Sequence, residues 1–237
     1  MVFVPPSAPF AVLGFLGAAF LIAAGLAVAL FGILGKQRRL AIGGVSVSAA
    51  AALCYLIVWS GAALMNPERL LPVGALKYFC EIDCHLACSV EGVERAEVLG
   101  SGDLIRRTTS THEFVIVTLR SWFDPETISA KRGTERPLYP NPRVVVAEDA
   151  GGRRYAPVAD GPALLAAMGR SSTPLRAPIR PGESYRTLLV FETPRGARGL
   201  RLYVGNVPVE SAFLVGHEAA PIARKAWFRL EGAGPPR

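Results

Sequence analysis

Acidic residues are absent from the first quarter of this 237-residue chain, where no Asp or Glu precedes Glu68. No charged side chain or histidine occurs before Lys36, and none occurs between Leu40 and Met65. This absence excludes an ordinary solvated surface for the N-terminal part. It also argues against a proton or ion pathway there, since such pathways need ionisable groups.

Sequence patterns that mark nucleic-acid binding or hydrolysis are also missing. No zinc-finger spacing and no basic stretch interleaved with aromatic residues is present, so we expect no nucleic-acid partner. No nucleophile-elbow pattern brings a serine together with His and Asp. Whether the protein is an enzyme stays open, but the lack of a catalytic set favours a non-enzymatic role.

Two long apolar runs fill this uncharged region, at residues 9–35 and 40–65. Each exceeds the ~20 residues that a helix needs to cross a bilayer about 30 Å thick. Only four residues, Lys36-Gln-Arg-Arg39, lie between them. The sequence therefore predicts a transmembrane helical hairpin, with the lipid bilayer as one partner.

The distribution of positive charge predicts the orientation of this hairpin. A secretory signal peptide has its positive charge before the apolar core, whereas here the charge follows it. The positive-inside rule places the Lys36–Arg39 turn in the cytoplasm. We thus expect a bacterial inner-membrane protein with two spans, both termini outside, and an extracytoplasmic (periplasmic) C-terminal domain.

Small residues recur at helical spacing in the second run, at Gly44, Ser48 and Ala52. Such residues allow helices to approach closely in lipid. One interpretation is that the two spans pack on each other through this face. The alternative is that a face remains for a membrane or periplasmic protein partner.

The pattern changes to period two after a short linker at residues 66–83, and the rest of the chain, 84–237, is interpreted as one domain. Short apolar runs separated by Gly and Pro turns are typical of a β-sandwich. One short amphipathic helix is predicted at residues 162–170. Strands are predicted at 85–99, 113–121, 143–148, 153–158, 184–193 and 199–204, with weaker candidates at 211–215 and 225–230.

The order of strands and turns is similar to that of the telokin-like immunoglobulin domains of bacterial exported and membrane-anchored proteins. The similarity covers roughly residues 84–206. It is carried by Phe114–Val117, Arg143–Val146, Asp149, Gly152, Tyr155, Ile179–Ser184, Leu189–Glu192 and Leu200–Leu202. This resemblance implies an all-β immunoglobulin-like sandwich that acts as a non-enzymatic module, and it implies no catalytic residues.

A cysteine motif, Cys80-Glu-Ile-Asp-Cys84-His85-Leu-Ala-Cys88, begins in the linker and continues into the first predicted strand. It holds all but one of the four cysteines. In an exported domain, paired cysteines are ordinarily oxidised. A disulfide between Cys80 and Cys84, or between Cys80 and Cys88, is therefore one interpretation, and plain thiols beside a hydrogen-bonded His85 are its equally structural alternative. Alternation places Cys88 on the same strand face as Leu86 and Val90, pointing into the core.

Metal binding by Cys80, Cys84 and His85 is the competing interpretation. Thiolate and imidazole ligands suit copper or zinc. The spacing is also one residue longer than the attachment motif of c-type haem, in which His85 would be the axial ligand. The two-span anchor is similar to that of subunit II of haem–copper oxidases, but Cys88 stands where that copper site has a histidine.

The sequence thus leaves two hypotheses of different classes. The favoured one is a membrane-anchored immunoglobulin-like module that acts as an interaction protein or accessory subunit of a membrane complex. The alternative is a redox protein that carries a metal or haem at Cys80, Cys84 and His85.

Overall fold

The computed structural model describes residues 2–3, 8–79, 85–127, 133–207 and 211–231. The chain divides into two compact units. One contains the described residues of Met1–Pro5, Glu68–Val207 and Lys225–Arg237, and the other those of Pro6–Pro67 and Pro208–Arg224. Each unit is described by itself below.

Two long apolar helices form most of the second unit, α1 at Ala8–Leu34 and α2 at Arg38–Met65. Both are long and apolar enough to cross a membrane, and most of their surface is not buried within the protein. Large side chains such as Phe10, Phe20 and Phe31 are more than two-thirds exposed. The helices separate where Lys36 adopts a left-handed backbone, with φ of 55°.

Close packing of small residues joins the two helices. A Cβ atom on Gly44 would lie 2.5 Å from the backbone of both Gly25 and Ala29. Ser48 donates a hydrogen bond from Oγ to the carbonyl of Ile22 at 3.0 Å. The Gly44–Ser48 face therefore packs against α1, as the first of the two interpretations of the small-residue pattern predicts.

The first unit is a β-sandwich of two five-stranded sheets. Sheet 1 has the order β1-β3-β4-β7-β10, with β1 parallel to β3 and the other pairs antiparallel. Its strands are β1 Val2–Phe3, β3 Leu76–Phe79, β4 Leu86–Ala96, β7 His112–Phe123 and β10 Ser184–Pro194. A β-bulge interrupts the register of β4 between Val90 and Gly92.

Sheet 2 has the order β2-β12-β11-β8-β9, with β2 parallel to β12. Its strands are β2 Arg69–Leu71, β8 Arg143–Glu148, β9 Arg154–Tyr155, β11 Arg201–Asn206 and β12 Ala226–Arg229. Residues from both sheets form the main core, including Val90, Val117, Phe191, Leu202 and Phe228. Alternating apolar side chains explain this arrangement, because period two turns one face of each sheet inward.

A second, smaller core covers the outer face of sheet 1. The helix α3 at Gly161–Ala167 contributes Leu164 and Leu165, which pack with Phe114 and Ile116 of β7. The hairpin of β5 (Val98–Ser101) and β6 (Leu104–Arg107) adds Leu99. Residues 100–101 and 104–107, which lie between the strands predicted at 85–99 and 113–121, therefore also form strand.

Two other segments differ from the sequence prediction. The linker at 66–83 contributes β2 and β3, one strand to each sheet. The weak strand at 211–215 is wrong, because these residues form turns in the unit that contains the helices. A short apolar run is compatible with a strand, a helix or a turn, and periodicity alone does not distinguish them.

Candidate functional site

His85 is the one residue of the predicted metal set that the structure describes, and Cys80 and Cys84 lie outside the described residues. The His85 ring is buried and stacks on Phe123, with 5.6 Å between centroids. Its Nδ1 lies 2.6 Å from the Thr127 hydroxyl, and its carbonyl accepts a hydrogen bond from the Asp124 amide. Nδ1 of this ring is therefore engaged with Thr127. The structure leaves the predicted ligand set a prediction.

A buried tyrosine–carboxylate pair lies beside this histidine. The Tyr78 hydroxyl donates to Asp124 Oδ2 at 2.7 Å, and the other carboxylate oxygen accepts from the Glu126 amide at 2.9 Å. Burial raises the pKa of Tyr78 well above its usual value, and the Asp124 carboxylate raises it further. Tyr78 thus stays protonated and acts as a hydrogen-bond donor, not as a base. No local sequence pattern indicates this pair, because its members are 46 residues apart.

Cys88 is a free, buried thiol, so the predicted Cys80–Cys88 disulfide is wrong. Its side chain points into the core, as alternation predicts, and its Sγ lies 3.6 Å from the Ser121 hydroxyl on β7. Burial raises the pKa of this thiol despite the opposing effects of Ser121, Arg143 and Lys77. Because only the thiolate is a good nucleophile or ligand, Cys88 is an inert core residue. The Cys80–Cys84 alternative involves residues that are not described.

Lys77 is a buried charge that sequence reasoning missed. It lies on β3 with no exposed surface, and its Nζ crosses the core to donate to the carbonyls of Val204 (2.8 Å) and Ala226 (3.0 Å). In the β11–β12 ladder, Arg201 pairs with Arg229 and Leu202 with Phe228. In the same register, Val204 would lie opposite Ala226. The ammonium group therefore bridges β11 and β12 beyond these two pairs.

Aromatic rings surround the Lys77 ammonium group. The centroid of Tyr203 is 4.7 Å away, and those of Phe79 and Phe3 are 5.8 and 5.9 Å away. Ring faces at these distances attract a cation. Tyr203 lies flat along β11 over Gly205, where an added Cβ would come within 2.1 Å of the Tyr203 hydroxyl. Glycine at position 205 thus provides the space for this ring.

A charged groove of about 390 Å³ opens at the end of sheet 2 where the β8–β9 turn lies. Behind it, the buried Glu148 accepts hydrogen bonds from Arg201 (2.6 Å) and Arg154 (2.8 Å), and Arg201 also pairs with Glu68. Burial tends to raise the pKa of Glu148, but the two arginines together outweigh it and lower the value. The groove is lined by Leu70, Asp149, Ala150, Gly152, Gly199, Leu200, Arg201, Arg229 and Glu231.

These polar groups support the fold, and each is already engaged with a neighbour. Within the described ranges, no three His, Cys, Asp or Glu side chains are close enough together to hold a metal ion. Nor do the described hydrogen bonds link a serine or cysteine nucleophile to a histidine base in the way hydrolases do.

Comparisons with known proteins give similarity in structure only. No family model and no curated protein sequence matches the chain. Among solved structures, an uncharacterized β-sandwich protein from Clostridium difficile 630 is 9% identical with a TM-score of 0.40, covering 70% of this chain and 96% of that one. The yjhA protein of Bacillus subtilis is 13% identical with a TM-score of 0.38, covering 68% and 99%.

The secreted protein MPT63 of Mycobacterium tuberculosis is similar in the same partial way. It is 12% identical with a TM-score of 0.37, and the match covers 69% of this chain and 98% of that one. At these values the likeness carries no argument about family or activity. The β-sandwich assignment for this chain accordingly rests on its own two sheets and the core that they share.

Proposed function

We propose that this protein is a membrane-anchored β-sandwich module of the bacterial inner membrane, held outside the cytoplasm by a two-helix hairpin. The observation that carries the proposal is the surface of α1 and α2. Bulky apolar side chains such as Phe10, Phe20 and Phe31 are exposed along them, where water would disfavour them and lipid would not. A helix also satisfies its own backbone groups in lipid.

Two features support the proposed orientation. The basic Lys36–Arg39 turn favours the cytoplasmic side. The strand β1, which precedes α1, pairs with β3 of sheet 1. This pairing requires the chain before the hairpin and the sandwich after it to lie on the same side of the membrane. A hairpin with two crossings meets that requirement.

We further propose that the sandwich is of the immunoglobulin type and acts as a non-enzymatic interaction module, with a membrane or periplasmic protein as partner. The open sides of the helices support an accessory role. An added Cβ on Gly14, Gly17 or Gly43 would contact nothing, so these small residues leave room for another helix.

Membrane extraction and co-purification test the two parts of this proposal. An integral hairpin stays in the membrane pellet after alkaline carbonate washing and is released by detergent. Release by carbonate alone would overturn the proposed membrane anchor.

To test for a partner, the tagged protein is purified in mild detergent after in vivo cross-linking, with a Gly43→Leu variant as matched comparison. A complex lost in this variant supports the accessory role, whereas a cross-linked pattern without any adduct contradicts it.

A metal or redox role for Cys80, Cys84 and His85 stays the alternative proposal. The feature that favours it is the His85 ring, which directly follows Cys84 and is held in one orientation by Thr127 and Phe123. Elemental analysis and a visible spectrum of protein assembled in the periplasm test it. Copper, zinc or a Soret band that disappears in His85→Ala would support the alternative, and metal-free, colourless protein would exclude it.

A further inference from the structure

The segment between β11 and β12 leaves the sandwich and packs against the outer half of α2. The described residues 211–224 group with the helices and not with the strands on either side of them. Trp59 Nε1 donates to the Ala212 carbonyl at 2.9 Å, and Tyr55 Oη donates to the Phe213 carbonyl at 2.5 Å. We call residues 211–224 the returning segment.

Small side chains bring the returning segment close to the helix. Ala220 and Ala223 are buried in a cluster with Ala63, and the Trp59 ring packs on it. The backbone closes its own hydrogen bonds in successive turns, from Leu214 to Ser211, His217 to Leu214, Ala220 to His217, and Ala223 to Ala220. Internal pairing of this kind is what an irregular backbone needs in a medium without water.

Large apolar side chains of the segment are exposed while two of its polar side chains are buried. Phe213 is 57% exposed and Ile222 is 45% exposed, whereas His217 is 8% and Glu218 is 7% exposed. Arg224, at the end of the segment, is exposed. Exposed Phe213 and Ile222 suit a lipid environment, because lipid does not disfavour apolar surface as water does, and an arginine near the boundary can extend its charged end into water.

The position of Trp59 along α2 fixes the depth of the contact. At 1.5 Å per residue, a hydrocarbon core of about 30 Å spans about 20 residues. If the basic turn that ends at Arg39 marks one boundary, then Leu40 to Trp59 crosses the core. Trp59 then lies at the other boundary, where aromatic belt residues concentrate. The carbonyls of Ala212 and Phe213, which bond to Trp59 and Tyr55, lie at or just inside that boundary.

We propose that the returning segment is a third membrane-contacting element, which inserts Phe213 and Ile222 into the outer leaflet of the bilayer. This inference rests on the proposed membrane hairpin. It adds that the sandwich is tied to the lipid surface twice, once through the helix α2 and once through the connection between β11 and β12.

Brominated lipids test the insertion, because bromine on an acyl chain quenches only tryptophan that contacts it. Full-length Phe213→Trp is placed in nanodiscs with or without dibrominated phosphatidylcholine, and the spectrum of the wild type, with its three tryptophans, is subtracted. We expect the added emission to be blue-shifted, quenched by bromine and insensitive to iodide. Ile222→Trp should behave alike. The matched control is Tyr139→Trp on the sandwich, at a site 72% exposed, which iodide should quench and bromine should not.

Quenching of the Trp59 emission distinguishes failure of this inference from failure of the proposed hairpin. The emission lost in Trp59→Phe reports the helix itself. If bromine quenches the Trp59 emission but neither added tryptophan, then the hairpin stands and the insertion is overturned. If bromine leaves Trp59 unquenched as well, then the hairpin proposal fails first. Blue-shifted but unquenched emission at position 213 would indicate a protein contact, such as a second copy, and would also overturn the insertion.

Discussion

The Lys77 ammonium group joins two neighbouring strands of sheet 2. Its hydrogen bonds to the Val204 and Ala226 carbonyls connect β11 with β12 beyond the paired residues Arg201–Arg229 and Leu202–Phe228. Removing a buried charge would by itself lower the cost of desolvation. The two carbonyls would then lose their donor, and an unsatisfied buried acceptor costs ~1–3 kcal/mol.

We therefore expect Lys77→Met to destabilise the sandwich by about 1–3 kcal/mol, because the chain length is kept while the donor is lost. The measurement is urea unfolding of the full-length protein in detergent, followed by tryptophan fluorescence. The comparison is Lys225→Met, since Lys225 lies 5.0 Å from the same Tyr203 ring but is partly exposed. Equal loss in both variants would contradict a bridging role for Lys77.

Glu148 makes the stability of the sandwich depend on pH. Its pKa in the folded protein is lower than its ordinary value of 4.5, so its contribution is complete above that value and is lost as the pH falls through the folded pKa. Glu148→Gln should reduce the free energy of unfolding by about 1.5–3 kcal/mol at neutral pH, the range for hydrogen bonds to charged groups. The difference from wild type should shrink steadily below pH 4.5.

Urea unfolding across this pH range checks the prediction. Glu183→Gln is the control, since this half-exposed carboxylate pairs with Arg180 at 3.8 Å on the surface. Exposed pairs contribute ~1 kcal/mol or less, so that variant should stay close to wild type at every pH. A Glu148→Gln difference that does not change with pH would contradict the account of the arginine network.

At the scale of single elements, the helix pair depends on backbone contact. Gly44→Leu would force its side chain into the backbone of α1, whereas the adjacent Gly43 has open space around it. We expect Gly44→Leu to weaken the helix pair by about 1–3 kcal/mol or more, the usual cost of overpacking. Gly43→Leu should have little effect. Unfolding in mixed micelles of increasing SDS content measures both, and equal midpoints would refute the packing.

The short strand β1 ties the start of the chain to the sandwich. Phe3 is buried in the main core and lies over Arg69 and Lys77 as a cation–π partner. Phe3→Ala should cost about 3 kcal/mol, toward the lower end of the range for buried Phe→Ala changes. Thermal unfolding followed by circular dichroism measures the loss. Val2→Ala, at a site 56% exposed, should leave the midpoint near that of wild type.

At the scale of the whole molecule, local patterns in the sequence predicted most elements. The apolar runs 9–35 and 40–65 correspond closely to α1 and α2, and period two predicted β7, β8, β10 and β11. These features depend on neighbouring residues only. The pairing of Val2–Phe3 with β3 did not follow from the sequence, because two residues carry too little pattern.

The candidate site was harder to predict because its contacts are long-range. Lys77 donates to carbonyls 127 and 149 residues away, and Tyr78 donates to Asp124, 46 residues away. A lysine in a period-two strand is ordinarily taken to face solvent, and nothing local marks it as buried. Alternation predicts that the Cys88 side chain faces the core. No local pattern predicts that its thiol is free.

Labelling of single cysteines from one side of the membrane tests the central claim most directly. The four native cysteines are replaced by serine, and Tyr139→Cys or Gln37→Cys is introduced. Intact spheroplasts are then treated with a membrane-impermeant maleimide. The account predicts labelling at position 139 in intact cells and at position 37 only after lysis. Labelling at 37 but not at 139 in intact cells, or at both alike, would contradict a sandwich held outside by a cytoplasmic-turn hairpin.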